Sequence, residues 1–369
     1  MRTISYEIDP GGDLELVLKE PNTLDVIPVV LPLDDDDATS SDIIFDNSSL
    51  SGRYSIFDKF DSQRDTEDPK RFVDGCPDEV RIKVSSRHLI LASPVFRKML
   101  EGPWSENASS SPPSEARQIF TTGWDAKALA IVLDVIHSRC QEVPKEINVP
   151  LLTRIATIVD YYQCHESLQF VSDVWLNLPD SVVRDPEPNW VDDLMILYSG
   201  WVFCHEGISS NKMKVVLRHS PGRSQFDLKD LPLAGLLGRL NNPRQEFVGR
   251  VLEGLHVLRK TLFVENGCPE KRLAACSSLT LGVLMRALHQ MKRLDPPVTA
   301  PFDKYSVTAI FKLIDRFPKH KPSNYRKNYG VCSCDVYKRM QPVIYGIEDE
   351  IDNFKATNIQ GWGEAQRSI

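Results

Sequence analysis

The stretch Val80 to Leu100, VRIKVSSRHLILASPVFRKML, constrains the fold more than any other part of this chain. Val80, Ile82 and Val84 alternate with Arg81, Lys83 and Ser85, the period of a strand with one apolar face. The alternation breaks at Leu89, Ile90 and Leu91. Ser93 and Pro94 then read as an N-cap followed by a proline at the first helical position, which predicts a short helix from Pro94 to about Leu100.

The flanks supply the partners that such a strand needs. Leu14, Leu16 and Leu18 follow the turn-like Pro10-Gly11-Gly12, so Asp13 to Lys19 is a predicted strand able to pair with the one at Val80. Arg117 to Thr121 reads as another short strand. Asp125 then caps a helix with Leu129, Val132, Leu133 and Ile136 on one face. Asn148 precedes a second helix, with Leu152, Ile155, Ala156, Val159 and Tyr162 inside, and a third spans Glu166 to Leu178. Two or three strands with helices around them make an α+β unit of ordinary domain size.

At these residues the chain resembles the BTB/POZ family, in its fungal branch. The resemblance is carried by Ser93, Pro94, Val95, Phe96, Met99 and Leu100, by Phe120 and Trp124-Asp125, by Asp160-Tyr161-Tyr162-x-Cys164, and by the upstream run from Asp9 to Leu14. It covers roughly Val80 to Leu178 and implies a BTB/POZ domain over 76–180, with the segment 1–33 adding a strand to its sheet. Val84, Leu89, Ser93, Pro94, Phe96, Met99, Leu100, Leu133, Ile155 and Tyr162 are then the core signature.

The resemblance also implies a non-catalytic protein-interaction module, one that pairs with itself or presents a substrate to a cullin-type ubiquitin ligase. Cullin adaptors carry an apolar residue, any residue, then Glu after the Met-Leu helix. Trp104-Ser105-Glu106 occupies that place. An exposed Trp can fill a partner's pocket while the Glu meets a basic rim; the alternative is that Trp104 folds back over Met99 and Leu100. Many animal members have His-Lys after the strand, whereas this chain has Ser85-Ser86 and then Arg87-His88, which departs from their mode of self-pairing. Self-association is expected through a strand edge left free by the N-terminal segment.

Outside that unit, the residues 34–75 hold Asp34-Asp35-Asp36-Asp37 and a Ser/Asp/Asn-rich run without an apolar period, the composition of a flexible acidic linker rather than a calcium loop. Glu101 to Ala116 reads as a surface loop and Pro179 to Pro188 as a connector. A mostly helical region is expected over 189–318. It includes a helix through Val191, Leu194, Met195, Tyr198 and Val202, a long amphipathic one from Arg244, one from Leu281 to Met291, and one capped by Ser306. The tail 319–369 is expected to be loosely held.

With 41% apolar residues the chain of 369 can support more than one core, and a net charge of −7 argues against general attraction to nucleic acid or anionic membrane. Eight scattered cysteines, an N-terminus without a signal-peptide core and the lack of a membrane-length run lead to the expectation of an intracellular protein of nucleus or cytoplasm. Neither a phosphate-cradling loop, a dinucleotide fingerprint nor a Gly-x-Ser-x-Gly elbow occurs, and no cofactor is expected.

Cys268, Cys276, Cys332 and Cys334 raise the question of zinc, but Cys332-x-Cys334 is tighter than the usual pair spacing. Cys164-His165 reads as a buried thiol beside a surface or satisfied histidine, since neighbours on a helix point apart. His88 reads as packing at the strand-to-helix step. The rival reading is a transcription-associated regulator whose C-terminal region binds partners or DNA through Arg316, Lys319, His320, Lys321, Arg326 and Lys327, a cluster broken by Pro318 and Pro322.

Overall fold

The computed structural model describes residues 3–31, 52–58, 79–102, 117–177, 189–267, 274–290, 299–317 and 334–363. Its first half is a small mixed sheet covered by helices. Strands β1 (Thr3–Glu7), β2 (Leu14–Lys19), β4 (Glu79–Val84) and β5 (Arg117–Thr122) lie in the order β1-β4-β2-β5. β4 runs antiparallel to β2, with Leu16 opposite Ile82, and parallel to β1, while β5 runs parallel to β2. Gly12 makes the turn into β2 feasible: a Cβ there would lie 2.5 Å from the Val84 carbonyl oxygen.

Alternation sorts the sheet's two faces. Tyr6, Leu14, Leu16, Leu18, Val80, Ile82, Val84 and Ile119 are buried on the inner one. Fully burying each such aliphatic side chain is worth about 1.5–3 kcal/mol over leaving it in water. The outer face is mostly polar, with Val17 and Phe120 in register beside Arg81. Arg81 meets Glu79 at 2.7 Å and Glu15 at 3.4 Å, and Gln118 donates to Glu15 at 2.7 Å.

The helices that close the inner face start where short-range chemistry places them. After α1 (Ser86–Ala92), α2 (Pro94–Glu101) begins at Ser93, whose hydroxyl accepts from the Phe96 N–H. Asp125 caps α3 (Ala126–Ile136) and Asn148 caps α4 (Val149–Tyr162), each accepting from the N–H three residues on. α5 (His165–Trp175) follows after Gln163 in the left-handed region. One buried face was expected for α3, yet all its residues except Lys127 are buried. The cause is its position: it packs against β4, α4, α5 and a 3-10 turn at Gly52–Phe57. Leu133 and Ile155 lie within a single interior, and Met99 packs against it from the rim.

The second half contains α6 (Trp190–Val202), α7 (Glu206–His219), α8 (Ala234–Val264), α9 (Ala274–Gln290), α10 (Val307–Asp315) and α11 (Val336–Asp352). Its core is continuous with the first. α6 packs on both α4 and α7, and an ion pair of 2.6 Å between Lys212 and Asp193 is buried in the α6–α7 contact. The N-terminal segment also crosses over: β3 (Val29–Val30) pairs with β6 (Phe226–Asp227), and Asp25 and Asp230 exchange main-chain and carboxylate bonds. Residues 25–31 therefore bond to the helical half, while Asn22, Thr23 and Leu24 bond to Trp124 and Gly123 beside β5.

Four sequence expectations need correction. β2 is an inner strand, so the open edges among the described strands belong to β1 and β5 instead. Within 34–75, residues 52–58 form a 3-10 turn with Tyr54 and Phe57 buried; the rest of that stretch lies outside the described residues. The long helix starts at Ala234, not Arg244, carrying Pro243 inside it; buried Leu236, Leu237 and Leu240 offset the lost main-chain bond. The tail 319–369 contains α11, with Met340, Ile344, Ile347 and Ile351 buried, and Arg250 forks onto Glu350 with two bonds of 2.7 Å. Ile347→Ala should therefore lower stability to urea by about 2–5 kcal/mol, whereas Tyr345→Ala, on the exposed side, should stay within about 0.5 kcal/mol. Equal, negligible effects would mean that the tail is loosely held after all.

Candidate functional site

The motif residues from three separate stretches meet at one corner of the first half. The Ser93 hydroxyl, besides capping α2, donates to the Tyr162 carbonyl at the end of α4. The Phe96 and Tyr162 rings stack with centroids 4.2 Å apart. Tyr162 donates to the Thr121 hydroxyl at 2.9 Å, and the Trp124 indole N–H reaches the same oxygen at 2.9 Å. Burial pushes the Tyr162 phenol up to about 12, so it stays a donor. α2, β5 and α4 are thus locked by one aromatic and hydroxyl cluster.

Val84, Leu89, Phe96, Leu100, Leu133, Ile155 and Tyr162 share the interior, with Ser93 buried beside them and Met99 at its edge. Pro94 opens α2. Trp104, Ser105 and Glu106 fall in 103–116, outside the described residues. The two ends of that stretch are close: the Arg117 guanidinium donates to the Leu100 carbonyl at 2.6 Å.

At Ser85-Ser86 the main chain is held by side chains from the end of α3 and from the turn before β2. The Ser85 N–H donates to His137 Nε2 at 3.0 Å, while His137 Nδ1 faces the Leu133 carbonyl at 2.7 Å, an arrangement that suits a neutral ring protonated on Nδ1. Ser86 donates to Asp13 through both N–H and hydroxyl. Partial burial pushes the Asp13 carboxyl up, but those bonds outweigh it and hold it below its ordinary value. His88 is exposed, its ring 4.8 Å from that of His137.

Cys164 is buried, and burial pushes its thiol up to about 12, where the nucleophilic thiolate is scarce. The neighbouring histidine differs from expectation. His165 is neither on the surface nor satisfied: it is only 2% exposed, both ring nitrogens lack a hydrogen-bond partner, and the nearest carboxylate, Asp160, is 4.0 Å away. Asp160 instead accepts from Tyr198 of α6 at 3.3 Å.

Among the cysteines weighed for zinc, Cys268 and Cys332 lie outside the described residues. The Thr280 hydroxyl sits 3.0 Å from the carbonyls of both Cys276 and Cys334. Among the described residues no group of three or more His, Cys, Asp and Glu is placed to hold a metal ion. Of the basic cluster, Arg316 ends α10, and Lys319, His320, Lys321, Arg326 and Lys327 lie outside the described residues. A cavity in the helical half, lined by Ser220, Asn241, Arg223 and Arg244, holds about 10 Å³, room for one water. Arg244 is buried there and spends its guanidinium on Asn241 and on the carbonyls of Pro301, Phe302 and Tyr305. Among the described residues no helix is long and apolar enough to cross a membrane.

A buried polar centre went unnoticed in the sequence. Asp134, fully buried on α3, accepts from Tyr6 of β1 at 2.8 Å and from Tyr54 at 3.0 Å, with Arg53 at 3.4 Å. Burial drives the carboxyl above its ordinary value against the pull of Tyr6, Arg53 and Tyr54. Both phenols are raised, by burial first and by the carboxylate second.

Three buried or half-buried histidines, His137 and His165 in the first half and His219 on α7, make stability depend on pH. Burial lowers His137, His165 and His219 below their ordinary value of about 6.5. As pH falls, the unfolded chain takes up these protons first, so stability is intact above pH ~6.5 and declines from there toward the lower folded values. The urea midpoint should therefore drop between about pH 7.5 and about pH 5.5, before most carboxylates titrate. A flat midpoint over that range contradicts the burial of these rings.

No protein-family model matches the chain, and no curated protein or solved structure matches it either. The resemblance at Val80 to Leu178 rests on the residues themselves.

Proposed function

We propose that this chain is a protein-interaction module of the BTB/POZ type, similar to fungal members, which acts by contact rather than catalysis. The observation that carries the reading is the meeting of Ser93 and Phe96 with Tyr162 and Thr121, because it brings the separate motifs of the resemblance into one corner. The order of the elements after β1 supports it too: β2 and β4 pair antiparallel, two short helices follow β4, β5 joins parallel to β2, and helices come next.

Surface composition agrees with a binding role. α5 turns Phe170, 82% exposed, and Val174 outward four residues apart, and Tyr161 on α4 is also exposed. Apolar groups grouped on one helix face are the usual material of a contact surface. The specific role proposed is that of a substrate adaptor for a cullin-type ubiquitin ligase, with Trp104, Ser105 and Glu106 as the contact. Arg117 and Leu100, on either side of 103–116, meet at one corner of the sheet. Self-association is proposed through the open edges of β1 and β5.

Gel filtration with light scattering tests both parts. The purified chain at high micromolar concentration should have the mass of two copies, and a purified cullin should shift it further. Trp104→Ala and Glu106→Lys should each weaken the cullin complex by about tenfold or more, as removal of a central anchor does. A monomer that leaves the cullin unshifted overturns the reading.

A further inference from the structure

Residues 52–58, Gly-Arg-Tyr-Ser-Ile-Phe-Asp, sit on the first half in the manner of a bound peptide. Side chains, not a main-chain ladder, carry their attachments. Arg53 donates to the Glu7 carbonyl at 2.9 Å and lies 4.4 Å over the Tyr6 ring. Tyr54, 1% exposed, bonds to Asp134, and Phe57, 0% exposed, packs its ring 5.2 Å from that of Tyr6. Asp58 pairs with Lys127 at 2.7 Å. Arg, Tyr and Phe are the residues that anchor interfaces, here each in its own slot.

In sequence the segment stands apart from the other described residues. It is separated from Leu31 by 20 residues, 32–51, and from Glu79 by another 20, 59–78. Each connection can reach roughly 70 Å when extended. Opposite the segment, β1 supplies Tyr6 and Glu7, α3 supplies Lys127 and Asp134, and Glu142 beyond α3 accepts from the Arg53 N–H at 3.3 Å. Asp134 shows what the groove is made to hold. Of the three groups on its carboxylate, one comes from the wall, Tyr6, and two from the segment, Tyr54 and Arg53. A buried carboxylate deprived of its donors is costly, so an emptied groove seeks another phenol and cation.

We propose that the groove between β1 and α3 is a peptide-recognition site, closed by the chain's own residues 52–58, that accepts from a partner protein a peptide of the pattern Arg-Tyr-x-x-Phe-Asp. The segment competes from within the same chain, so partner peptides see a mostly occupied site. Release of the segment opens it. The inference rests on contacts among described residues and not on the family resemblance; it stands or falls apart from the cullin experiment.

The test uses the full chain and a fluorescein-labelled peptide of residues 51–60, SGRYSIFDKF, followed by fluorescence anisotropy. A Tyr54→Ser, Phe57→Ser chain, whose own segment no longer competes, should bind the peptide at least about tenfold more tightly than the unaltered chain. A peptide with the same two replacements should bind neither. A folded double variant that ignores the peptide, or binds both peptides equally, overturns the proposal. Should the double variant fail to fold, hydrogen exchange in the unaltered chain decides. Amides of 53–58 exchanging at least about tenfold faster than those of β4 support a releasable segment, whereas equal rates make it an integral part of the core and overturn the proposal.

Discussion

The pairing of β2 with β4 is the constraint from which the rest of the structure follows. Opposed Leu16 and Ile82, with Leu14, Leu18, Val80 and Val84 beside them, make one apolar face that cannot remain in water. Covering it requires a helix buried on nearly every side, because α3 must contact the sheet below and α4 and α5 around it. The α+β arrangement, the clustering of the Ser-Pro-x-Phe and Tyr-Tyr motifs and the seat for residues 52–58 are consequences of that one packing decision.

Charges inside this interior do a different job from the aliphatic groups. Asp134 gathers Tyr6, Tyr54 and Arg53 from distant parts of the chain. Lys212 and Asp193 fix α7 against α6, and Arg244 gathers the carbonyls of the 301–305 loop onto α8. Buried charges give up hydration, so each tolerates only the arrangement that satisfies it. They therefore specify which segments meet more than they add to stability. Asp134 does so with two groups supplied by residues 52–58.

Signals confined to a few residues were legible in the sequence. The caps at Ser93, Asp125, Asn148 and Ser306 and the alternation through Val80 to Val84 act within one turn or one strand, and the structure has them where they were read. What escaped depends on distant partners. β1 is short, carries Thr3 and Ser5 between its apolar residues, and pairs with a strand about eighty positions later. Tyr54 and Phe57 stand in an acidic, serine-rich stretch, and the partners of Asp134 are 128 and 80 positions away. The long helix reads as starting at Arg244 because local rules disfavour Pro243 inside one, whereas packing by Leu236 and Leu240 overrules them. α11 had a readable period in Val336, Met340, Ile344, Ile347 and Ile351, obscured by the Lys- and Asn-rich residues before it. The contact proposed for Trp104 and Glu106 rests on sequence alone.

The account depends most on the claim that two strands more than sixty residues apart share one buried face. A double-mutant cycle of Leu16→Ala and Ile82→Ala in urea unfolding addresses it directly. Facing partners in one interior should show a coupling energy of about 0.5–3 kcal/mol. Effects that simply add, to within about 0.3–0.5 kcal/mol, would show that these side chains do not meet, and the sheet described here would be wrong.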